Sequence, residues 1–342
     1  MLKQGIVQVY TGPSQQMNFA HLGLCLRAAG QGLRTCLIRL SSHPFIEAED
    51  RALSYLKPMV AVDRMVWNGE APGKVLAEDT REVRTSLEHI HEVVVKGGFD
   101  IVILEEINPL LDKSIIPVDF IRDLITARPG SVELILTGKN APEYIIDRAE
   151  LVTEIVQHKG EEESWAIDGS SDEGCIGVVT GDGKGKTTYC LGRAMLVAAN
   201  GFPASILQFI KSPQPYGEVL AIGKFPNLKI QTMGKGFIFG PKPSEDHIIA
   251  AKEAWNECLR EVFSGGYRLI VLDEINIATH LGLLLPETVR EMLHSKPRNL
   301  EVLMSGRGAH SEMKEQASAV FEMREIKHPF HQGIQARKGI EY

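Results

Sequence analysis

The stretch Val178-Val-Thr-Gly-Asp-Gly-Lys-Gly-Lys-Thr-Thr188 decides the fold of this 342-residue chain. An apolar run precedes it, and apolar residues at helical spacing follow it. A strand, a glycine-rich turn and a helix, in this order, make a phosphate-binding loop, because backbone N–H groups and the positive end of the helix then face an anion. A chance turn rich in glycine and lysine is the alternative, but the flanking strand and helix favour the loop.

The loop contains the predicted anion ligands and one predicted metal ligand. Lys186 adds a positive charge, and the hydroxyl of Thr187 can ligate Mg²⁺. Thr180 stands where the general pattern has glycine. The residues predicted to bind nucleotide are Thr180, Gly181, Asp182, Gly183, Lys184, Gly185, Lys186, Thr187 and Thr188.

Two acidic residues end a predicted strand downstream of the loop. The segment Leu269-Ile-Val-Leu-Asp-Glu274 is an apolar run followed by Asp273 and Glu274. Mg²⁺ prefers hard oxygen ligands, and proteins with a phosphate loop hold it with such a carboxylate. A strand ending in Asp-Glu can also be purely structural. Its position after the loop favours a metal site at one or both carboxylates.

The chain is a tandem repeat. A shift of 169 positions pairs Gly12 with Gly181 and Gly32 with Gly201, and a shift of 168 pairs LEEIN at 104–108 with LDEIN at 272–276. Each repeat alternates strands and helices, and its near-continuous apolar strands are typical of a parallel sheet covered on both faces. The sequence therefore predicts an α/β protein made of two tandem P-loop NTPase-like three-layer domains, each with a mostly parallel sheet.

The predicted boundaries follow from composition. The acidic stretch 160–173, rich in Gly and Ser, is the predicted linker between a first domain, 1–159, and a second domain, 174–342. The first repeat lacks the phosphate loop, since Met17 and Asn18 stand opposite the lysine and the threonine. We predict that it binds no triphosphate, although nucleotide binding in some other way remains open.

Composition argues against several classes of partner. The formal net charge of −7 disfavours nucleic acid or an anionic membrane as the main partner. The five cysteines have no CxxC spacing, which indicates neither a disulfide framework nor a zinc site. The chain opens on a predicted strand instead of a signal peptide, and no apolar run has bilayer length. We expect a cytoplasmic protein.

Several segments of the second repeat are more specific than a general NTPase pattern. They are TGDGKGKTT at 180–188, LQFIKS at 207–212, GE at 217–218, MGKGF at 233–237, LDEIN at 272–276, SGRGA at 305–309 and EMREIKHPFHQGIQARKGIEY at 322–342. Through them the second repeat resembles the P-loop-type ATP:corrinoid adenosyltransferases. The first repeat is similar only in its framework.

The resemblance implies transfer of the 5′-deoxyadenosyl group of ATP to the Co(I) of a reduced corrinoid, cob(I)alamin or cob(I)yrinic acid a,c-diamide, with release of triphosphate. It implies catalytic roles for Lys186 and Glu274, and Mg²⁺ or Mn²⁺ held by Thr187, Asp273 and Glu274. Arg307 is implied to bind ATP, with a surface ion pair as the alternative. An electron donor such as a flavoprotein would supply the reduced corrinoid.

An aromatic pair is also implied by the resemblance. Phe237 and Phe239 are expected to crowd the lower face of the corrinoid and displace its axial ligand, so both are candidate catalytic residues. Packing in the core is the alternative. Four further positions lie in matching segments without an assigned role: Lys211, Glu218, His328 and Lys338.

One departure from the family pattern concerns an arginine. Many members carry Arg where this chain has Leu196, and Arg27 of the first repeat aligns with that position. Either Arg193 substitutes for it, or the affinity for nucleotide is lower.

Two classes of function remain open. The first is the adenosyltransferase, and the second is an ATP-dependent switch or corrinoid-binding protein that transfers no adenosyl group. Related single-unit enzymes are thought to work as dimers. We therefore expect an intrachain pseudo-dimer, with one ATP per chain, in which the first repeat covers the corrinoid or holds the C-terminal tail. A homo-oligomer is also possible.

Overall fold

The structure, a computed structural model, describes residues 2–12, 19–41, 46–65, 81–160, 173–236, 238 and 243–342. Strands and helices alternate in the first repeat, as predicted. Its strands are β1 (Val7–Thr11), β2 (Thr35–Arg39), β3 (Val60–Arg64), β4 (Ile101–Glu105), β5 (Glu133–Thr137) and β6 (Leu151–Lys159). Its helices are α1 (Phe19–Gly30), α2 (Ile46–Ser54), α3 (Arg81–Lys96), α4 (Ile107–Asp112), α5 (Val118–Ala127) and α6 (Glu143–Arg148).

The second repeat has the same element order. Its strands are β7 (Ile176–Thr180), β8 (Ala204–Gln208), β9 (Leu228–Thr232), β10 (Leu269–Asp273), β11 (Glu301–Ser305) and β12 (Ala319–Lys327). Its helices are α7 (Lys186–Ala199), α8 (Gly217–Ala221), α9 (Glu245–Val262), α10 (Ile275–His280), α11 (Pro286–Ser295) and α12 (Ser311–Gln316). Most of the predicted linker lies outside the described residues.

The strands of both repeats belong to one sheet. Across the described residues its twelve strands follow the order β3-β2-β4-β5-β1-β6-β12-β7-β11-β10-β8-β9. Neighbouring strands are parallel, except that β6 and β12 run antiparallel where the repeats meet. The predicted mostly parallel α/β class is confirmed. The two predicted sheets are joined edge to edge, so the last strand of each repeat covers the edge of the other.

The helices on one side of the sheet belong to a core that both repeats share. Helix α1 packs against α7, the helix that follows the phosphate loop, and their side chains contribute to the same buried cluster. The two helices approach closely at glycines, since a Cβ on Gly23 would lie 1.9 Å from the carbonyl oxygen of Thr188. The other side of the sheet has a separate core for each repeat. The first repeat therefore braces the helix of the phosphate loop directly.

Among the described helices, none combines the length and the apolar character needed to cross a membrane.

Candidate nucleotide and metal site

The phosphate loop connects β7 to α7 and curls at its glycines. Gly181 and Gly185 have φ of 97° and 111°, a region that favours residues without a Cβ. The N–H of Gly183 donates to the carbonyl of Met323, 2.7 Å away on β12. A Cβ on Gly185 would also lie only 3.0 Å from Cε1 in the ring of Tyr10, which belongs to the first repeat. The loop is therefore shaped by strands of both repeats.

Lys186 begins α7 and lies under the loop. Its side chain is largely buried, and its Nζ donates to the carbonyl of Gly183 at 2.7 Å. Burial lowers the pKa of Lys186 to about 8, and the nearby Glu274 partly opposes this shift. A buried ammonium is stabilised when an anion enters the loop, which is the role predicted for this residue.

The two acidic residues among the three predicted metal ligands lie beside the loop. The carboxylate of Asp273 accepts hydrogen bonds from Thr187 Oγ1 at 2.9 Å, Ser305 Oγ at 2.6 Å and Gln208 Nε2 at 2.9 Å. Glu274 adopts a left-handed conformation, with φ of 65°, and its N–H donates to Ser305 Oγ at 3.1 Å. Burial and the charge of Asp273 raise the pKa of Glu274 to about 7. Two crowded carboxylates next to a hydroxyl fit a hard divalent cation, which would relieve their repulsion.

Two other predicted nucleotide ligands, Thr180 and Thr188, form hydrogen bonds that fix the conformation of the loop. The hydroxyl of Thr180 accepts a backbone N–H from the segment after β11 at 3.3 Å, and that of Thr188 donates to a loop carbonyl at 3.0 Å. Arg307 stands at the exposed mouth of the loop, where its Nη2 donates to the carbonyl of Asp182 at 3.1 Å. Its Nε also lies 3.6 Å from Asp182 Oδ1, so the surface ion pair of the alternative interpretation is present, and ATP binding by Arg307 stays a prediction.

Ion pairs connect the C-terminal tail to the phosphate loop. Lys184 Nζ lies 2.9 Å from Glu341 Oε1, and Glu341 also pairs with Arg337 at 3.0 Å. Arg337 in turn binds Glu133 of the first repeat through both of its terminal nitrogens, at 2.6 and 3.0 Å. Glu133, Arg337, Glu341 and Lys184 thus alternate in sign from β5 to the phosphate loop.

The structure bears on one alternative that the sequence analysis left open. Arg193 does not substitute for the missing family arginine, because it binds Glu301 on β11 at 2.8 and 3.0 Å, inside the core. Leu196 is buried among the helices. Phe237 and Phe239 lie outside the described residues.

The first repeat has a buried arginine next to the carboxylate that corresponds to Asp273, a predicted metal ligand of the second repeat. On β2, Arg39 is the strand partner of Glu105, and on β8, Gln208 is the partner of Asp273 in the same register. Arg39 Nη1 lies 2.7 Å from Glu105 and 2.6 Å from Glu49, and its side chain is fully buried. A guanidinium therefore neutralises the carboxylate that corresponds to Asp273.

The surrounding framework is kept in both repeats. Asn108 donates to the carbonyls of β1 and of the turn after β5, at 3.3 and 2.8 Å, and Asn276 makes the equivalent bonds at 3.4 and 3.2 Å. Glu106 has φ of 61°, close to the 65° of Glu274. The sequence analysis did not single out Arg39 or its counterpart on β8, although the 169-residue shift pairs them.

Comparison with known proteins agrees with this duplicated geometry. A family model described as "ATP:corrinoid adenosyltransferase BtuR/CobO/CobP" matches residues 3–166 and again residues 172–342. The chain belongs to this family. Each repeat matches its model separately, as expected of a tandem duplication, and the family acts on ATP and corrinoid substrates.

The similar proteins divide into single-unit and full-length relatives. The corrinoid adenosyltransferase of Escherichia coli (strain K12) is 33% identical over 171 residues, which is 50% of this chain and 87% of that protein. The corrinoid adenosyltransferase CobA of Salmonella typhimurium is 32% identical over 171 residues, again 50% of this chain and 87% of that protein. An uncharacterized protein of Nostoc sp. (strain PCC 7120) is 28% identical over 373 residues, covering 99% of this chain and 95% of its own length.

Proposed function

We propose that the second repeat transfers the 5′-deoxyadenosyl group of ATP to the Co(I) of a reduced corrinoid, such as cob(I)alamin or cob(I)yrinic acid a,c-diamide, and releases triphosphate. One observation carries the proposal. The second repeat combines a curled phosphate loop with two adjacent carboxylates, Asp273 and Glu274, whereas in the first repeat Met17 stands opposite the loop lysine and Arg39 binds Glu105, the counterpart of Asp273. We therefore place one site in each chain.

The residues of the loop act on the leaving group. As the C5′–O bond of ATP breaks, the electron pair remains on the triphosphate, and the Co–C bond forms with electrons from Co(I). Loop N–H groups and Lys186 would bind that charge. Removal of one such preorganised donor typically costs about 2.7–4 kcal/mol of transition-state stabilisation. Bound by Thr187, Asp273 and Glu274, Mg²⁺ or Mn²⁺ would add two further positive charges at the triphosphate.

The corrinoid would meet the segment after β9. The N–H groups of Gly234 and Gly236 donate to the carbonyls of Lys211 and Ile210, at 2.9 and 2.8 Å, so this segment is tied to the one after β8. We propose that Phe237 and Phe239, which follow directly, crowd the lower face of the corrinoid. An electron donor outside this chain, such as a flavoprotein, must reduce the cobalt.

Product analysis tests the proposal. The chain is incubated with ATP, Mg²⁺ and a chemically reduced corrinoid, and the phosphate products are separated. Inorganic triphosphate and an adenosylated corrinoid are the expected products, in equal amounts. ADP and phosphate without adenosylation would instead support an ATP-dependent switch.

A further inference from the structure

One arginine of the first repeat is buried in the second. Arg27 lies in the last turn of α1, which packs against α8. Its Nε donates to Glu218 Oε2 at 2.9 Å, and its Nη2 donates to Glu218 Oε1 at 3.4 Å. Its Nη1 donates to the carbonyl of Ile340 in the C-terminal tail, at 3.0 Å. One side chain thus bonds two separate segments of the second repeat.

The first of these segments leads to the proposed site. Glu218 has no exposed surface, and it accepts a 2.6 Å hydrogen bond from Lys211 Nζ. Lys211 is close enough to Glu274 that its charge counters the rise that burial causes in the pKa of that carboxyl. Its carbonyl also holds Gly234, in the segment proposed to meet the corrinoid. A shift of Glu218 would therefore move a cation and a segment that border the substrates.

The second repeat has no arginine of its own for this task. Leu196 stands at the position of Arg27, so the arrangement is not mirrored on the other side of the shared core. The 169-residue shift pairs Glu218 with Glu49, and Glu49 binds Arg39 of its own repeat at 2.6 Å. Glu218 instead receives its guanidinium from the other repeat.

We infer that Arg27 is a positioning residue for the site of the second repeat. It holds Glu218, and through it Lys211, beside the carboxylate pair, and it anchors the C-terminal tail at Ile340. The first repeat, which lacks a phosphate loop, thereby remains necessary for turnover. The inference rests on the proposed function and names a contribution that the isolated second repeat lacks.

The pH dependence of kcat/KM in an Arg27→Met variant tests the inference. Burial would raise the pKa of Glu218, but the charges of Arg27 and Lys211 hold it well below its usual range. In the described part of the chain these two are the charged groups that face Glu218, while Asp273 and Glu341 face Arg27. Without the guanidinium the pKa of Glu218 rises, so Glu218 takes up a proton as the pH falls and releases Lys211.

We expect kcat/KM of Arg27→Met to fall by about 10²-fold, the scale of a small displacement near the reacting atoms. The loss relative to the wild type should deepen as the pH is lowered, because protonation of Glu218 adds a second acid limb to the one that Glu274, with its pKa of about 7, gives the wild-type profile. Arg27→Lys keeps a charge beside Glu218, so it should remove the added acid limb and recover part of the activity.

Arg39→Met is the matched control. Arg39 is also buried and also binds carboxylates, Glu49 and Glu105, but these belong to the first repeat. Its replacement should lower the melting temperature and leave the pH profile of kcat/KM with the same acid limb as the wild type. A purely structural role for Arg27 would give the same result in both variants and would overturn the inference.

A double variant separates folding from positioning. Arg27→Met with Glu218→Gln removes both buried charges, which is better tolerated than leaving one unpaired. It should fold and still turn over slowly, now without the added acid limb, since the glutamine that replaces Glu218 has no proton to take up. Wild-type kcat/KM in this variant would refute a positioning role.

Hydrogen exchange supplies a readout that does not need activity. Amides in 210–218 and 337–342 should exchange faster in Arg27→Met than in the wild type, and unchanged exchange there would also refute the inference. A wild-type chain that transfers no adenosyl group would contradict the proposed function alone, since the exchange experiment would still report on Arg27.

Discussion

Replacing Gln208 by arginine would transfer the cation of the first repeat into the second. Gln208 is the strand partner of Asp273, as Arg39 is of Glu105, so the new side chain would start from the equivalent backbone position. In the first repeat the guanidinium nitrogen lies 2.7 Å from the carboxylate oxygen. The same contact in the second repeat would occupy Asp273, a proposed ligand of the divalent cation.

The size of the effect follows from that distance. Mg²⁺ binds oxygen at about 2.0–2.1 Å, so a cation and a guanidinium on one carboxylate would lie roughly 4 Å apart. Two unit charges at about 4 Å interact by roughly 4 kcal/mol at an effective dielectric constant of about 20, and a divalent ion doubles this to about 8 kcal/mol. Since about 1.4 kcal/mol is tenfold in affinity, Mg·ATP binding should weaken by more than about 10⁵-fold.

Calorimetric titration of Gln208→Arg with Mg·ATP measures this directly. We expect no detectable binding at concentrations that saturate the wild type, and a melting temperature that is not lowered, because the new guanidinium is paired. Gln208→Met is the uncharged control. It loses one hydrogen bond to a charged acceptor, worth about 1.5–3 kcal/mol. Wild-type affinity in Gln208→Arg would refute the placement of the metal on Asp273.

Three further outcomes are expected. Lys186→Ala should lower kcat/KM for adenosyl transfer by about 10²–10³-fold with an unchanged melting temperature, and wild-type turnover would remove the loop from the mechanism. Calorimetry should give one ATP per chain, because Arg39 already neutralises Glu105; two equivalent sites would contradict the assignment of the first repeat. Although burial opposes it, the two basic neighbours of Glu341 hold its pKa below the usual range. Its stabilising effect is therefore present above the unfolded pKa of about 4.3 and lost as the pH falls through the lower folded value. Glu341→Gln should melt earlier than the wild type at pH ~7, with the difference narrowing below pH ~4; a difference independent of pH would exclude this ion pair as its cause.

The sequence by itself determined the features that depend on adjacent residues. A phosphate loop needs glycines, a lysine and a helix start in immediate succession, so 178–188 could be recognised without any tertiary information. The acidic end of β10 and the alternation of apolar strands with helices are likewise local patterns. The repeat was visible because the shift of 168 to 169 positions holds along the chain. Fold class and the placement of Lys186, Thr187 and Asp273 around one loop therefore followed from short segments.

Only the tertiary structure decided how the two repeats work together. The joining of the sheets depends on β6 pairing with β12, and no local pattern specifies which edges meet. The contact of Arg27 with Glu218 joins residues 191 positions apart, and that of Arg39 with Glu105 joins residues 66 apart. The sequence contains these charges, but it does not specify which carboxylate each guanidinium will contact in the folded protein. Distance and desolvation set that choice, and both arise from the packing of α1 on α7 and α8, not from the spacing of residues along the chain.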